Sequence, residues 1–88
     1  MAGTARDLDV ALGVAVRAAR LATGLSQTQL ASKSGVDLGT ISRVESGSRR
    51  ASWLVLARLS YALRTTPDAI LEAVQLSSQT LLEGHTGD

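Results

Sequence analysis

The sequence predicts an all-α domain of five helices. Its 44% hydrophobic content is aliphatic, with 13 Ala and 14 Leu against one Trp, one Tyr and no Phe. Such small side chains suit helices that pack closely. Runs of β-branched and aromatic residues in strict alternation, which mark strands, are missing. Capping residues and glycine stops recur along the chain at intervals that fit short helices. Eighty-eight residues make one compact domain and not two, so residues 1–88 are read as a single unit.

The first helix opens near Asp7, whose carboxylate is suited to cap free N–H groups. Leu8, Leu12, Ala15, Val16 and Ala19 then share one apolar face. Gly24 ends the helix, with Leu25 placed to fold back on the last turn. Ser26-Gln27-Thr28-Gln29 is a capping box for the second helix, Ser26 accepting from the N–H three residues on while Gln29 reaches back. Leu30 and Ala31 face inward, and Gly35 supplies the positive φ of a sharp turn. Asp37 caps a third helix from about Leu38 to Ser46, closed by Gly47. A basic loop, Ser48-Arg49-Arg50, follows. Ser52 caps the fourth helix, with Leu56, Leu59 and Leu63 on one stripe and Trp53 expected to be partly buried. Thr66-Pro67-Asp68 gives the fifth helix a cap, a proline at its first position and an acid in its first turn. That helix is expected to extend past Val74 toward Leu82, before a frayed tail at about 84–88.

Net charge is only +1, but it is unevenly spread. Residues 17–50 hold six basic and two acidic side chains, net +4, while the rest holds three basic and six acidic, net −3. A basic middle between acidic flanks is the footprint expected on phosphate. There is no Cys, and the one His, His85, lies in the polar tail, so neither a disulfide framework nor a metal site is expected. No apolar run approaches the ~20 residues that span a bilayer, and the first residues, with Arg6, Asp7 and Asp9, have no secretory pattern. The expectation is a cytoplasmic protein. No phosphate-cradling glycine loop or nucleophile constellation points to catalysis, and no cofactor or small-molecule ligand is expected.

The second and third helices are short and joined at a glycine. Ala31 allows their axes to approach, and Ile41 and Val44 anchor the second of the pair. The spacing Ala31, Gly35, Ile41, Val44 is that of a helix-turn-helix, here at about 26–46. From Leu12 to Leu71 the chain resembles the family of phage Cro proteins and lambda-type repressors, also called the xenobiotic-response-element family. The resemblance rests on Arg20, Gly24-Leu25-Ser26-Gln27, Leu30-Ala31, Gly35-Val36, Ile41-Ser42-Arg43-Val44-Glu45-Ser46-Gly47, Leu56 and Ala62-Leu63. It implies a five-helix, lambda-repressor-like DNA-binding domain that works as a symmetric dimer on a near-palindromic operator.

At about 100° per residue, Ile41, Val44 and Glu45 point inward and the opposite face shows Gly39 and Arg43, bordered by Leu38, Thr40 and Ser42. Arg43 is the leading base reader, since a guanidinium bonds two guanine acceptors at once; its alternative role is a phosphate contact. Thr40 is suited to a phosphate or a thymine methyl and Leu38 to apolar contact. Gly39, where the family often has a long polar residue, offers only close backbone approach. The expected phosphate contacts are Ser26, Gln27, Ser42, Ser46, Ser48, Arg49 and Arg50, led by Gln27 at a helix N-terminus; for Arg49 and Arg50 the plainer reading is a solvated loop. Glu45 falls inward in the last helical turn, where the dipole disfavours an anion. The family pattern pairs it with Arg20, which makes both structural.

One short recognition helix covers half an operator, so a homodimer on double-stranded DNA is expected. Ile70, Leu71, Val74, Leu81 and Leu82 are candidates for its interface, unless they only complete the monomer core. A protein-interaction adaptor that keeps this fold with little DNA readout is the second reading, favoured by Gly39 and the low net charge.

Overall fold

The computed structural model describes residues 5–86, with side chains over residues 6–76. Among the described residues five helices follow one another: α1 (Ala5–Ala22), α2 (Gln27–Ser34), α3 (Leu38–Glu45), α4 (Trp53–Ala62) and α5 (Pro67–Thr86). The described residues include no strand. α1 packs against α3 and α5, and α2 packs against α3 and α4. Val16, Leu30, Val36, Ile41, Val44, Leu56, Leu59, Leu63 and Ile70 meet in one core, drawn from every helix and the α2–α3 turn.

The helix ends form as the capping chemistry dictates. Ser26 Oγ accepts from the Gln29 N–H at 3.0 Å and the Gln29 side chain accepts from the Ser26 N–H at 2.9 Å, completing the box. Asp37 caps α3 and Ser52 caps α4, while Thr66 Oγ1 accepts from the Ala69 N–H at 3.1 Å. Gly35 sits at φ 73°, and its N–H closes α2 on the Ala31 carbonyl.

Four features differ from expectation. α1 begins at Ala5, so Asp7 lies within the first turn, where its charge still complements the helix dipole. On α1 the expected face holds at Val16, with Leu12, Ala15 and Ala19 packed against the core, but Leu8 is exposed and Ala11 and Arg20 are buried as well. At Gly13 a Cβ would stand 2.3 Å from the Val44 carbonyl oxygen and 2.7 Å from that of Glu45. α1 therefore lies directly on the α3 backbone at this point. Trp53 is 67% exposed, because the core line of α4 begins one turn further on, at Leu56. α5 continues through Gly84, His85 and Thr86, where a tail was expected; one glycine inside a helix costs about 1 kcal/mol and does not by itself end it. Gly87 and Asp88 lie outside the described residues. Arg64, in the α4–α5 turn, adopts φ 58°, the left-handed region normally left to glycine.

Candidate nucleic-acid interface

The α2–α3 pair is anchored from beneath. Leu30, Ile41 and Val44 are wholly buried, and Ala31 packs against them. With that face committed, α3 turns Leu38, Ser42 and Arg43 to solvent, and Gly39 is half-buried between them. Arg17, Lys33 and Arg49 are exposed as well.

Thr40 must be removed from the base-reading candidates. It is only 6% exposed; its hydroxyl donates to Asp37 Oδ1 at 2.7 Å and its N–H to Oδ2 at 2.9 Å. Periodicity placed it on the border of the outward face, but the capping carboxylate draws it in. Those two bonds, helped by the charges of Arg43 and Arg49, hold the Asp37 carboxyl below its ordinary range against a small desolvation cost.

Beyond α3 the chain tightens around one atom. The Arg43 carbonyl accepts from Ser48 N–H at 3.0 Å and Arg49 N–H at 3.2 Å, and from the Ser46 and Ser48 hydroxyls at 3.0 and 3.3 Å. Ser46 and Ser48 are exposed, as expected of phosphate contacts, and their hydroxyls are oriented by this turn. Arg49 shares the edge. Arg50 does not: its Nε donates to Asp9 Oδ1 at 3.3 Å, on the side where Leu8, Leu12, Leu71 and Val74 line an apolar groove between α1 and α5. The bond turns Arg50 toward α1, while its side chain stays 69% exposed. Ser26 remains exposed, although its hydroxyl serves the capping box.

The Arg20–Glu45 pair forms beneath this surface. Arg20 Nε donates to Glu45 Oε2 at 2.7 Å and Nη2 to Oε1 at 2.9 Å, while Nη1 donates to the Leu25 carbonyl at 2.9 Å. Gln27 Nε2 adds a bond to Oε1 at 3.0 Å. Burial pushes the Glu45 carboxyl up, but the bonds from Arg20 and Gln27 and the charges of Arg20 and Arg17 outweigh it and hold it below its ordinary value. Arg20 is raised by its bonds to Glu45. The reading of Gln27 as a phosphate contact did not include this bond: the half-buried side chain gives one amide N–H to Glu45 and keeps its second N–H for another acceptor. A glutamine one residue past the cap, opposite an inward acid, is the signal that was available.

Of the residues expected at a dimer interface, Ile70 and Val74 are buried in the monomer. Ile70 belongs to the core, and Val74 lies with Leu8 and Leu12 where α5 meets α1. Leu71 is exposed. The side chains of Leu81 and Leu82 lie outside the described residues. Among the described residues no three His, Cys, Asp or Glu converge on a metal-sized site, and no helix is long and apolar enough to cross a membrane.

A profile described as a helix-turn-helix domain matches residues 11–73. No curated protein matches the chain. Among solved structures, the clp gene regulator ClgR from Corynebacterium glutamicum is similar at TM-score 0.82 and 29% identity, over 89% of this chain and 83% of that one. The restriction-modification controller protein C.AhdI from Aeromonas hydrophila is similar at TM-score 0.68 and 37% identity, over 70% of this chain and 94% of that one. A third, the restriction-modification controller C.Esp1396I, is a tetramer in complex with its natural 35 base-pair operator; it is similar at TM-score 0.74 and 25% identity, over 82% of this chain and 95% of that one. With five helices, a helix-turn-helix whose α3 faces solvent, and a profile match that spans most of its length, the chain belongs to the helix-turn-helix family of Cro and lambda-repressor type.

Proposed function

We propose that this protein is a DNA-binding transcriptional regulator that reads sequence with α3 and acts as a homodimer, repressing from a near-palindromic operator. The observation that carries the reading is the division of α3. Its inner residues are fully buried while Leu38, Ser42 and Arg43 are exposed, so the helix has a free edge of the width a major groove admits. Arg43 is the base reader, and Ser46, Ser48 and Arg49 hold phosphates. The acid on the same helix, Glu45, is neutralised by Arg20 and does not repel the duplex. That C.Esp1396I is solved on an operator supports the same role here.

Dimerisation is assigned to the outer side of α5 around Leu71, together with the apolar groove it forms with α1. The protein would then meet DNA in the cytoplasm, with two α3 helices about one helical turn of duplex apart. No catalytic step belongs to this reading.

Selection of bound sequences from random duplex DNA at near-physiological salt tests it directly. The expected product is a two-fold symmetric motif, bound with an affinity that falls steeply as salt rises because neutralised phosphates release counterions. Recovery of no motif, with weak binding, would favour the adaptor reading. Leu54 and Tyr61, exposed on α4, are the observation on its side. Light scattering at micromolar protein checks the dimer; a strict monomer with and without DNA rules it out.

A further inference from the structure

Gly39 is the one position on the outward face of α3 with no side chain, and another residue occupies the space. A Cβ placed there would lie 3.3 Å from Arg43 Nη2, 3.4 Å from Arg43 Nη1 and 3.2 Å from Asp37 Oδ2. Long side chains on a helix lean toward its N-terminus and cover the residue four positions back, so Arg43 runs over residue 39. With nothing to climb over, its guanidinium lies down against the helix. Arg43 belongs to the last turn of α3, yet its charged group is carried back toward the first turn. That is the end through which a recognition helix contacts base edges. A cation near a helix N-terminus faces the positive end of the dipole, and the Asp37 carboxylate, pinned by Thr40 at 2.7 and 2.9 Å, offsets this.

We propose that Gly39 is a positioning residue for sequence specificity: it leaves room for the Arg43 guanidinium to lie back along α3, on the side of Asp37, for presentation to a guanine edge. The proposal rests on the DNA-reading role given above. It changes what the glycine means. A Cβ at 39 would crowd the guanidinium and the Asp37 carboxylate at 3.2–3.4 Å, so it pushes the Arg43 tip outward from the helix, and a longer side chain would take its place. The glycine itself need not touch the duplex.

The test compares the parent, Gly39→Ala, Arg43→Ala and the double variant. Each is titrated against the selected operator and duplexes carrying each other base at the position where Arg43→Ala relaxes preference. Gly39→Ala is expected to lower discrimination there roughly tenfold, within the range of one bidentate contact, without lowering Tm. In the Arg43→Ala background the same change is expected to alter discrimination by less than about twofold. Undiminished discrimination in Gly39→Ala overturns the proposal. So does an equal loss in both backgrounds, which would mark close approach by the glycine backbone itself. A parent with no base preference removes the DNA-reading role together with this inference, whereas preference without coupling removes the inference alone.

A second measurement needs no DNA. The Asp37 carboxyl, which feels Thr40, Arg43 and Arg49 and also borders a separate cavity lined by Arg49 and Arg58, is followed by NMR titration. Its midpoint should move upward in both Gly39→Ala and Arg43→Ala. A midpoint unmoved in both shows that the guanidinium does not lie on the side of Asp37.

Discussion

Removing the Glu45 carboxylate isolates the cation that α1 holds beneath the recognition helix. In the folded protein Glu45 accepts two bonds from Arg20 and one from Gln27, and the side chains of Arg20 and Glu45 are only 10% and 4% exposed. Glu45→Ala leaves Arg20 with one bond, to the Leu25 carbonyl. Deleting one member of a buried pair costs about 3–5 kcal/mol, and an exposed pair about 0.2–1 kcal/mol. This pair lies near the edge of a small domain, so about 2–4 kcal/mol is expected. For a domain of this size each kcal/mol corresponds to roughly 4–8 °C in Tm, which puts the drop at about 8–30 °C. Thermal melting followed by helical circular dichroism, at one fixed protein concentration because association shifts Tm, gives the number. Glu45→Gln keeps an acceptor for Arg20 and should lose less. Replacing both residues by apolar ones, Arg20→Met with Glu45→Leu, should recover most of the loss, since no lone buried charge remains. The pair also sets an acid limb. The folded carboxyl titrates below its ordinary value of 4.5, so its contribution is complete above that pH and is lost as pH falls through the lower folded value. The melting profile of Glu45→Ala should be flatter on that side. A Tm within a degree or two of the parent, with an unchanged acid limb, refutes the assignment of the pair as a structural tie.

Gly13→Ala should destabilise by about 1–3 kcal/mol despite the better helix propensity of alanine, because its Cβ meets two α3 carbonyls; a raised Tm would contradict the close contact. Arg64→Gly should raise Tm by a few degrees: it relieves a left-handed cost of about 1–2 kcal/mol, less about 0.4–1 kcal/mol of extra unfolded-chain entropy. Arg43→Ala should relax preference at one base position by about 1–3 kcal/mol, whereas Arg49→Ala should weaken all duplexes alike and reduce the salt slope by about one. Interchanged behaviour of the two arginines would reverse their assigned roles.

Much of the fold is legible in the sequence because caps and turns are local chemistry. Ser26 with Gln29, Asp37, Ser52 and Thr66 each act within a few residues, and Gly35 is required by its own φ. The inward positions Leu30, Ile41 and Val44 follow from helical periodicity alone. Most of what failed depends on contacts between distant segments, Thr40 being the local exception. Nothing near Gly13 in the chain reveals that the carbonyls of Val44 and Glu45 lie against it, although a lone glycine among alanines and leucines was a hint. Periodicity gave Thr40 an outward border position, but it could not weigh a bifunctional acid cap that engages both the N–H and the hydroxyl. Gln27 and Arg50 were judged by type and neighbourhood, while their partners, Glu45 and Asp9, are 18 and 41 residues away. The Leu38, Ser42 and Arg43 surface was found because it needed only the inner face to be right.

The seat of α1 on α3 has a mechanical consequence. At Gly13 the facing atoms are the Val44 and Glu45 carbonyls, and at Gly47, just past α3, a Cβ would come within 2.9 Å of the Val10 Cα. Main chain meets main chain at both places, so the gap between these segments is set by covalent geometry and not by rotamers that can hop. Neither segment has a long side chain at Gly13 or Gly47 through which the other could slide. A reader mounted in this way arrives at its target already in shape and gives up little freedom on docking.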